Sequence, residues 1–180
     1  MTSSNDGIIY VIPKANDRLE TREQYALRII EGIYDKDKTR KNANLINGCN
    51  IIRGEFKFVV LLDQAYKSFL LGLYYTTVSL SIMANERLCY DLIDKSDIIF
   101  NGIPLDSKQK EILYDVRFSK LVEFFADINL ISAKAKSDIL DLSYKRNNYV
   151  HPNFNADPEK DASSCLNKLL KIVDAVLTIL

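Results

Sequence analysis

The last stretch of the chain constrains its fold most. The apolar residues Leu166, Leu169, Leu170, Val173, Val176, Leu177 and Leu180 recur there at three- and four-residue steps without a miss. That spacing lines one face of a helix with aliphatic side chains, and such a face is stable only when other elements cover it. Its beginning is equally explicit. Asp157-Pro158-Glu159 supplies a cap, a proline for the first turn and an acid facing the positive end of the helix dipole. A helix of this kind needs partners, and the rest of the sequence offers helices rather than strands. Six Gly, four Pro and no Trp in 180 residues argue against a turn-rich β fold. The expectation is an all-α helical bundle, one domain over 1–180, with a long central helix region and a C-terminal apolar helix.

Before that helix the elements follow from local signals. Residues 1–16 read as an N-terminal arm, with the apolar run Ile8 to Ile12 ended by Pro13. Asp17-x-x-Glu20 has the spacing of a capping box and opens a helix to about Tyr34. Residues 35–54 are polar up to Asn50 and read as a loop excursion. Their basic cluster of Lys36, Lys38, Arg40 and Lys41 is interleaved with Asp35 and Asp37, which favours a solvated loop over an RNA grip. From Glu55 to Asp94 the pattern is helical and strongly apolar, as two helices or as one weakened at Gly72. Lys95 to Pro104 is a break containing Gly102. Asp106-x-x-Gln109 starts the next helical stretch, to about Asn129 with an interruption near Arg117. Ser132 caps another helix, which stops near Val150 because the residue before Pro152 is pushed out of helical dihedrals.

Charge and cysteine content narrow the function classes. Lys plus Arg (24) equals Asp plus Glu (24), which argues against a broad nonspecific nucleic-acid coat but does not exclude a local phosphate site. Cys49, Cys89 and Cys165 are far apart, and a single histidine accompanies them. No zinc site and no cofactor are expected from that set; reduced, inert thiols in a cytoplasmic protein are. The polar N-terminus carries no secretory signal pattern. The uncharged stretch Ser68 to Ala84 is shorter than the roughly 20 residues of a spanning helix and is diluted by Ser, Thr and Tyr, so a buried central helix is expected and no membrane role.

Chemistry concentrates in one segment, Arg146-Asn147-Asn148-Tyr149-Val150-His151-Pro152. It sets a permanent cation beside the only side chain that titrates near neutrality, and those are the residue types that clamp phosphate and move protons. On an ideal helix Arg146 and His151 lie about 140° apart, whereas Asn147 and His151 share a face. Pro152 releases His151 from that constraint. The same residues also form an ordinary helix end, with Lys145 and Arg146 beside the last carbonyls and Asn as terminator.

Arg146, Asn147 and, after three further residues, His151 resemble the signature of the HEPN superfamily (higher eukaryotes and prokaryotes nucleotide-binding domains). Its motif likewise ends a long helix and precedes a last apolar helix. The stretch Ala65-Tyr66-Lys67 through Gly72, Tyr74-Tyr75 and Glu86-Arg87-Leu88 resembles the central helix region of such domains, so the resemblance spans about Glu55 to Leu180. It implies a metal-independent endoribonuclease, a toxin or defence effector cutting RNA to a 2′,3′-cyclic phosphate. His151 would be the acid–base catalyst, Arg146 the phosphorane stabiliser, Asn147 a supporting hydrogen-bonder and Glu86 a supporting acid from the facing helix, the last reading more readily as a surface or N-terminal partner of a neighbouring Lys or Arg. It also implies a homodimer in which two motifs line one cleft, under an antitoxin or other regulatory protein. One toxin subgroup places a Tyr two positions after the His, where this chain has Asn153. The superfamily equally contains non-catalytic nucleotide- or protein-binding and dimerisation modules.

Overall fold

The computed structural model describes residues 35–46, 56–146, 149 and 157–177, and the architecture below is that of the unit Lys36–Leu180. The fold is all-α. Among the described residues the elements in chain order are α1 (Lys36–Asn44), α2 (Phe58–Leu70), α3 (Tyr74–Lys95), β1 (Ile99–Phe100), β2 (Ile103–Pro104), α4 (Ser107–Asp115), α5 (Phe118–Asp127), α6 (Ala133–Tyr144) and α7 (Pro158–Leu177). The expected arm over 1–16 and the helix opening at Asp17 lie outside the described residues.

The centre is α3, which packs against α2, α4, α6 and α7, while α7 also meets α2 and α6. Over its described side chains the apolar stripe read from the sequence is the buried face of α7, while the side chains of Leu177 and Leu180 lie outside the described residues. Leu166, Leu169, Leu170, Val173 and Val176 are buried, together with Ala162, Cys165 and Ile172. They meet Val78, Ile82, Leu88, Cys89 and Leu92 of α3 and Phe58, Leu62 and Phe69 of α2 in one continuous core. Burying each such aliphatic side chain stabilises the fold by about 1.5–3 kcal/mol, which is what a bundle of modest helices needs. No helix among the described residues is long and apolar enough to cross a membrane.

Local signals set the boundaries. The apolar region divides at Gly72, whose φ of +74° is left-handed. There the N–H groups of Gly72 and Leu73 donate back to Phe69 and Ser68 at 2.9 and 2.8 Å, closing α2 before α3 begins. Asp106 and Gln109 form both halves of a capping box, at 2.8 and 2.9 Å. Ser132 Oγ accepts from the Ala135 N–H at 3.1 Å, and Asp157 Oδ1 from the Lys160 N–H at 3.2 Å. α4 and α5 separate at Val116–Arg117, where the backbone turns extended. Within the break after α3 a two-stranded antiparallel hairpin pairs Ile99 with Pro104 and Phe100 with Ile103. Its turn residues Asn101 and Gly102 both have positive φ, 52° and 78°, the pairing that closes a two-residue hairpin.

One expectation is corrected. The excursion over 35–54 begins not as a loop but as helix α1, nine residues long. Its sequence lacks the apolar period that marks a helix, because polar contacts hold it. Asn42 is fully buried, donating to the Phe69 carbonyl at 2.8 Å and accepting from the Tyr74 hydroxyl at 3.3 Å. It thereby adds a second donor to the Phe69 carbonyl, which also takes the Gly72 N–H, and reaches the Leu70 carbonyl at 3.5 Å. The Lys38 ammonium lies 5.3 Å from the centre of the Tyr74 ring. Lys41 pairs with Glu159 of α7 at 3.2 Å. The basic cluster is thus partly spent on intramolecular contacts.

Candidate functional site

Two of the four site residues expected from the sequence fall within the described residues, and they meet. Arg146 lies just beyond α6 and Glu86 midway along α3, with Arg146 Nη1 3.6 Å from Glu86 Oε1. The Arg146 side chain is 62% exposed and that of Glu86 29%, so the pair is partly solvated and looser than a direct hydrogen bond. Asn147 and His151 lie outside the described residues, as does the expected helix stop near Val150.

The contact follows from how α6 sits on α3. Asn85, the neighbour of Glu86, is completely buried, and its Nδ2 donates to the Ile139 carbonyl at 3.0 Å and to Ser143 Oγ at 3.2 Å. Its Oδ1 has no hydrogen-bond partner among the described residues. A buried amide satisfied only by α6 fixes the register of the two helices, since a slip would strand its donor as well. Ile139 and Leu142 of α6 complete the lock as buried apolar contacts. The end of α6 is therefore delivered to the face of α3 that carries Glu86.

A second group, missed by the sequence reading, flanks Arg146. Asp161 in the first turns of α7 accepts from Lys145 Nζ at 2.5 Å through Oδ1 and from the Tyr149 hydroxyl at 2.7 Å through Oδ2. Burial raises the Asp161 pKa, but the hydrogen bonds from Lys145 and Tyr149 outweigh it and hold the carboxyl below its ordinary range. Burial, and then the bond to Asp161, pushes the Tyr149 hydroxyl well above the ordinary tyrosine range, so it remains a neutral donor. The Tyr149 ring meets Tyr75 of α3 edge to face, with centroids 5.6 Å apart. Tyr149 thus packs and hydrogen-bonds in place, and it is Tyr75 whose ring stands 61% exposed beside it. The acidic start of α7 was readable as dipole chemistry, but nothing in the sequence pairs Asp161 with residues across the preceding turn.

The surroundings are shallow. A groove of about 470 Å³ between the starts of α3 and α7 is lined by Leu73, Tyr74, Tyr75, Thr76, Asp157 and Glu159, among others. A larger one of about 570 Å³ runs along Leu45, Asp157, Glu159, Lys160, Ser163 and Ser164, and neither Arg146 nor Glu86 lines it. Its acidic lining is wrong for phosphate, so size does not mark the site. Burial pushes the Cys165 thiol up to about 11 and that of Cys89 higher still, which keeps both protonated and unreactive at neutral pH. Among the described residues no group of three His, Cys, Asp or Glu is placed to hold a metal ion.

Such an arrangement presents one guanidinium, partly solvated, against a single carboxylate at a helix end rigidly tied to two others. The chain matches no family model, no curated protein and no solved structure.

Proposed function

We propose that this protein is a metal-independent endoribonuclease of the HEPN type, acting as a homodimer in the cytoplasm and serving as a toxin or defence effector under a regulatory partner. The observation that carries the reading is Arg146: a solvent-reachable guanidinium at the end of a helix that Asn85 registers against α3, with Glu86 beside it. A preorganised guanidinium at such a place suits the charge that builds on a phosphorane.

In this reaction His151 takes the proton of a ribose 2′-hydroxyl, the oxygen attacks the adjacent phosphorus, and the bond to the 5′ oxygen breaks. That oxygen takes up a proton and departs as a hydroxyl, leaving a 2′,3′-cyclic phosphate. Arg146 stabilises the pentavalent intermediate. Asn147 hydrogen-bonds within the site, and Glu86 holds the guanidinium until phosphate displaces it. A second copy of the motif, from the partner subunit, supplies the second proton-transfer group.

The test is RNA cleavage in excess EDTA by wild type, His151→Ala and Arg146→Ala, with products analysed for the cyclic end. Cleavage lost in both variants supports the assignment, and cleavage that survives both overturns it. A second reading, a non-catalytic module binding nucleotide or protein, is favoured by the Arg146–Glu86 pair itself, since the cation already has a carboxylate partner. It predicts nucleotide or protein binding by a chain that cuts no RNA.

A further inference from the structure

We propose that Asp161 is the positioning residue for the segment that presents Arg146, clamping Lys145 before it and Tyr149 after it to the first turns of α7. The proposal rests on the nuclease reading for its catalytic consequence, though not for the clamp itself. Each carboxylate oxygen holds one partner: Oδ1 takes Lys145 Nζ at 2.5 Å and Oδ2 takes the Tyr149 hydroxyl at 2.7 Å. Lys145 directly precedes Arg146, and Tyr149 stands three residues after it and two before His151. One side chain therefore fixes both flanks of the guanidinium.

Asp161 is itself well anchored. Its N–H donates to the Asp157 carbonyl at 2.9 Å, and the adjacent Ala162 is completely buried in the core. Tyr149 also leans on Tyr75, so the same segment is tied to α7 by charge-assisted hydrogen bonds and to α3 by an aromatic contact. An ordinary helix end needs no such double fixation, because its carbonyls and basic side chains face water. A phosphate-handling guanidinium does need it, since misplacement by about 1 Å can cost about 100-fold in rate. Asp161 reaches neither Arg146 nor substrate in this account; it acts through the two residues that it holds.

The experiment compares wild type, Asp161→Asn, Tyr149→Phe and Asp161→Glu by amide hydrogen exchange and by RNA cleavage. Asp141→Asn serves as a control that removes a solvent-facing partner of Lys168, a pair that does not involve Asp161, Lys145 or Tyr149. In Asp161→Asn, exchange in a peptide containing Lys145, Arg146 and Tyr149 should quicken by about tenfold while peptides of α3 and the body of α7 keep their wild-type rates. In the same variant kcat should fall about 10- to 100-fold with KM within about twofold, and Asp161→Glu should recover most of the loss. Unchanged exchange in that peptide overturns the clamp. Lost protection with an unchanged kcat overturns the positioning role. Because exchange is read without substrate, a protein that cuts no RNA refutes the nuclease reading while the clamp is still decided.

Discussion

Glu86 and Arg87 are neighbours on α3, and each joins an arginine–carboxylate pair, yet the two pairs differ in kind. Arg87 Nε meets Asp91 Oδ1 at 2.9 Å, with the Asp91 side chain 4% exposed. The other oxygen of Asp91 accepts the N–H of Phe58, the first residue of α2, at 2.8 Å. Arg87 also approaches Asp94 at 3.6 Å, and Asp94 accepts from the Tyr114 hydroxyl of α4, whose ring stacks on Tyr90. That cluster fastens three helices, and its guanidinium is consumed in the fastening. Glu86 and Arg146 stand 3.6 Å apart with Arg146 open to solvent. Identical chemistry one residue apart gives a structural lock in one case and an exchangeable contact in the other, and burial makes the difference.

The sharpest way to break that comparison is to remove the buried carboxylate. Asp91→Ala leaves the Phe58 N–H without its acceptor and Arg87 without its close partner. The expected loss is about 3 kcal/mol, at the lower end for a buried pair because the Arg87 side chain keeps some solvent contact. Urea denaturation measures it. A loss below about 1 kcal/mol would place the Arg87 cluster in the same class as the Arg146 pair.

The lock should also show itself in alkali. Burial, followed by the hydrogen bond to Asp94, pushes the Tyr114 hydroxyl up to about 12 from an ordinary value of 10.0. The folded protein therefore retains this proton where the unfolded chain has lost it. Its contribution is fully present below about pH 10 and is lost progressively between about 10 and 12. Tyr114→Phe should flatten the fall of stability across that window, as read by thermal melts at stepped pH. An unchanged slope would detach Tyr114 from the cluster. Tyr149, raised by burial and by Asp161, adds a fall of the same sign that Tyr149→Phe should remove.

What was legible in the sequence was local. Asp106 with Gln109, Ser132 and Asp157 act within one turn, so their caps could be read directly, and the stripe from Leu166 to Val176 is periodic because one face is buried. Gly72 marked the α2–α3 division because a left-handed residue is needed there. The helix α1 was hidden because Asn42 holds it by tertiary hydrogen bonds rather than by an apolar stripe. The hairpin was signalled by Asn101-Gly102, but its two-residue strands are too short to alternate, and the segment read simply as a break. Of the site, Arg146 stood out by its place beside the lone histidine, and Glu86 only through the resemblance of the central helix region. Their contact, and Asp161 altogether, depend on how α6 and α7 are set against α3, which no spacing encodes.

The smallest effect tests the exchangeable side of the comparison. Glu86→Gln removes a carboxylate that is partly solvated and looser than a hydrogen bond, so stability should change by under about 0.5 kcal/mol. Its consequence belongs to ligand binding instead. Phosphate must displace Glu86 from Arg146, and removing that competitor should tighten RNA binding by about threefold, the equivalent of about 0.6 kcal/mol. Binding to the His151→Ala background, measured at fixed salt, isolates affinity from cleavage. Weaker binding in Glu86→Gln would mean that the carboxylate orients the guanidinium rather than competes for it. The Arg146 pair would then resemble the Arg87 lock, held in place by its acid, despite its exposure.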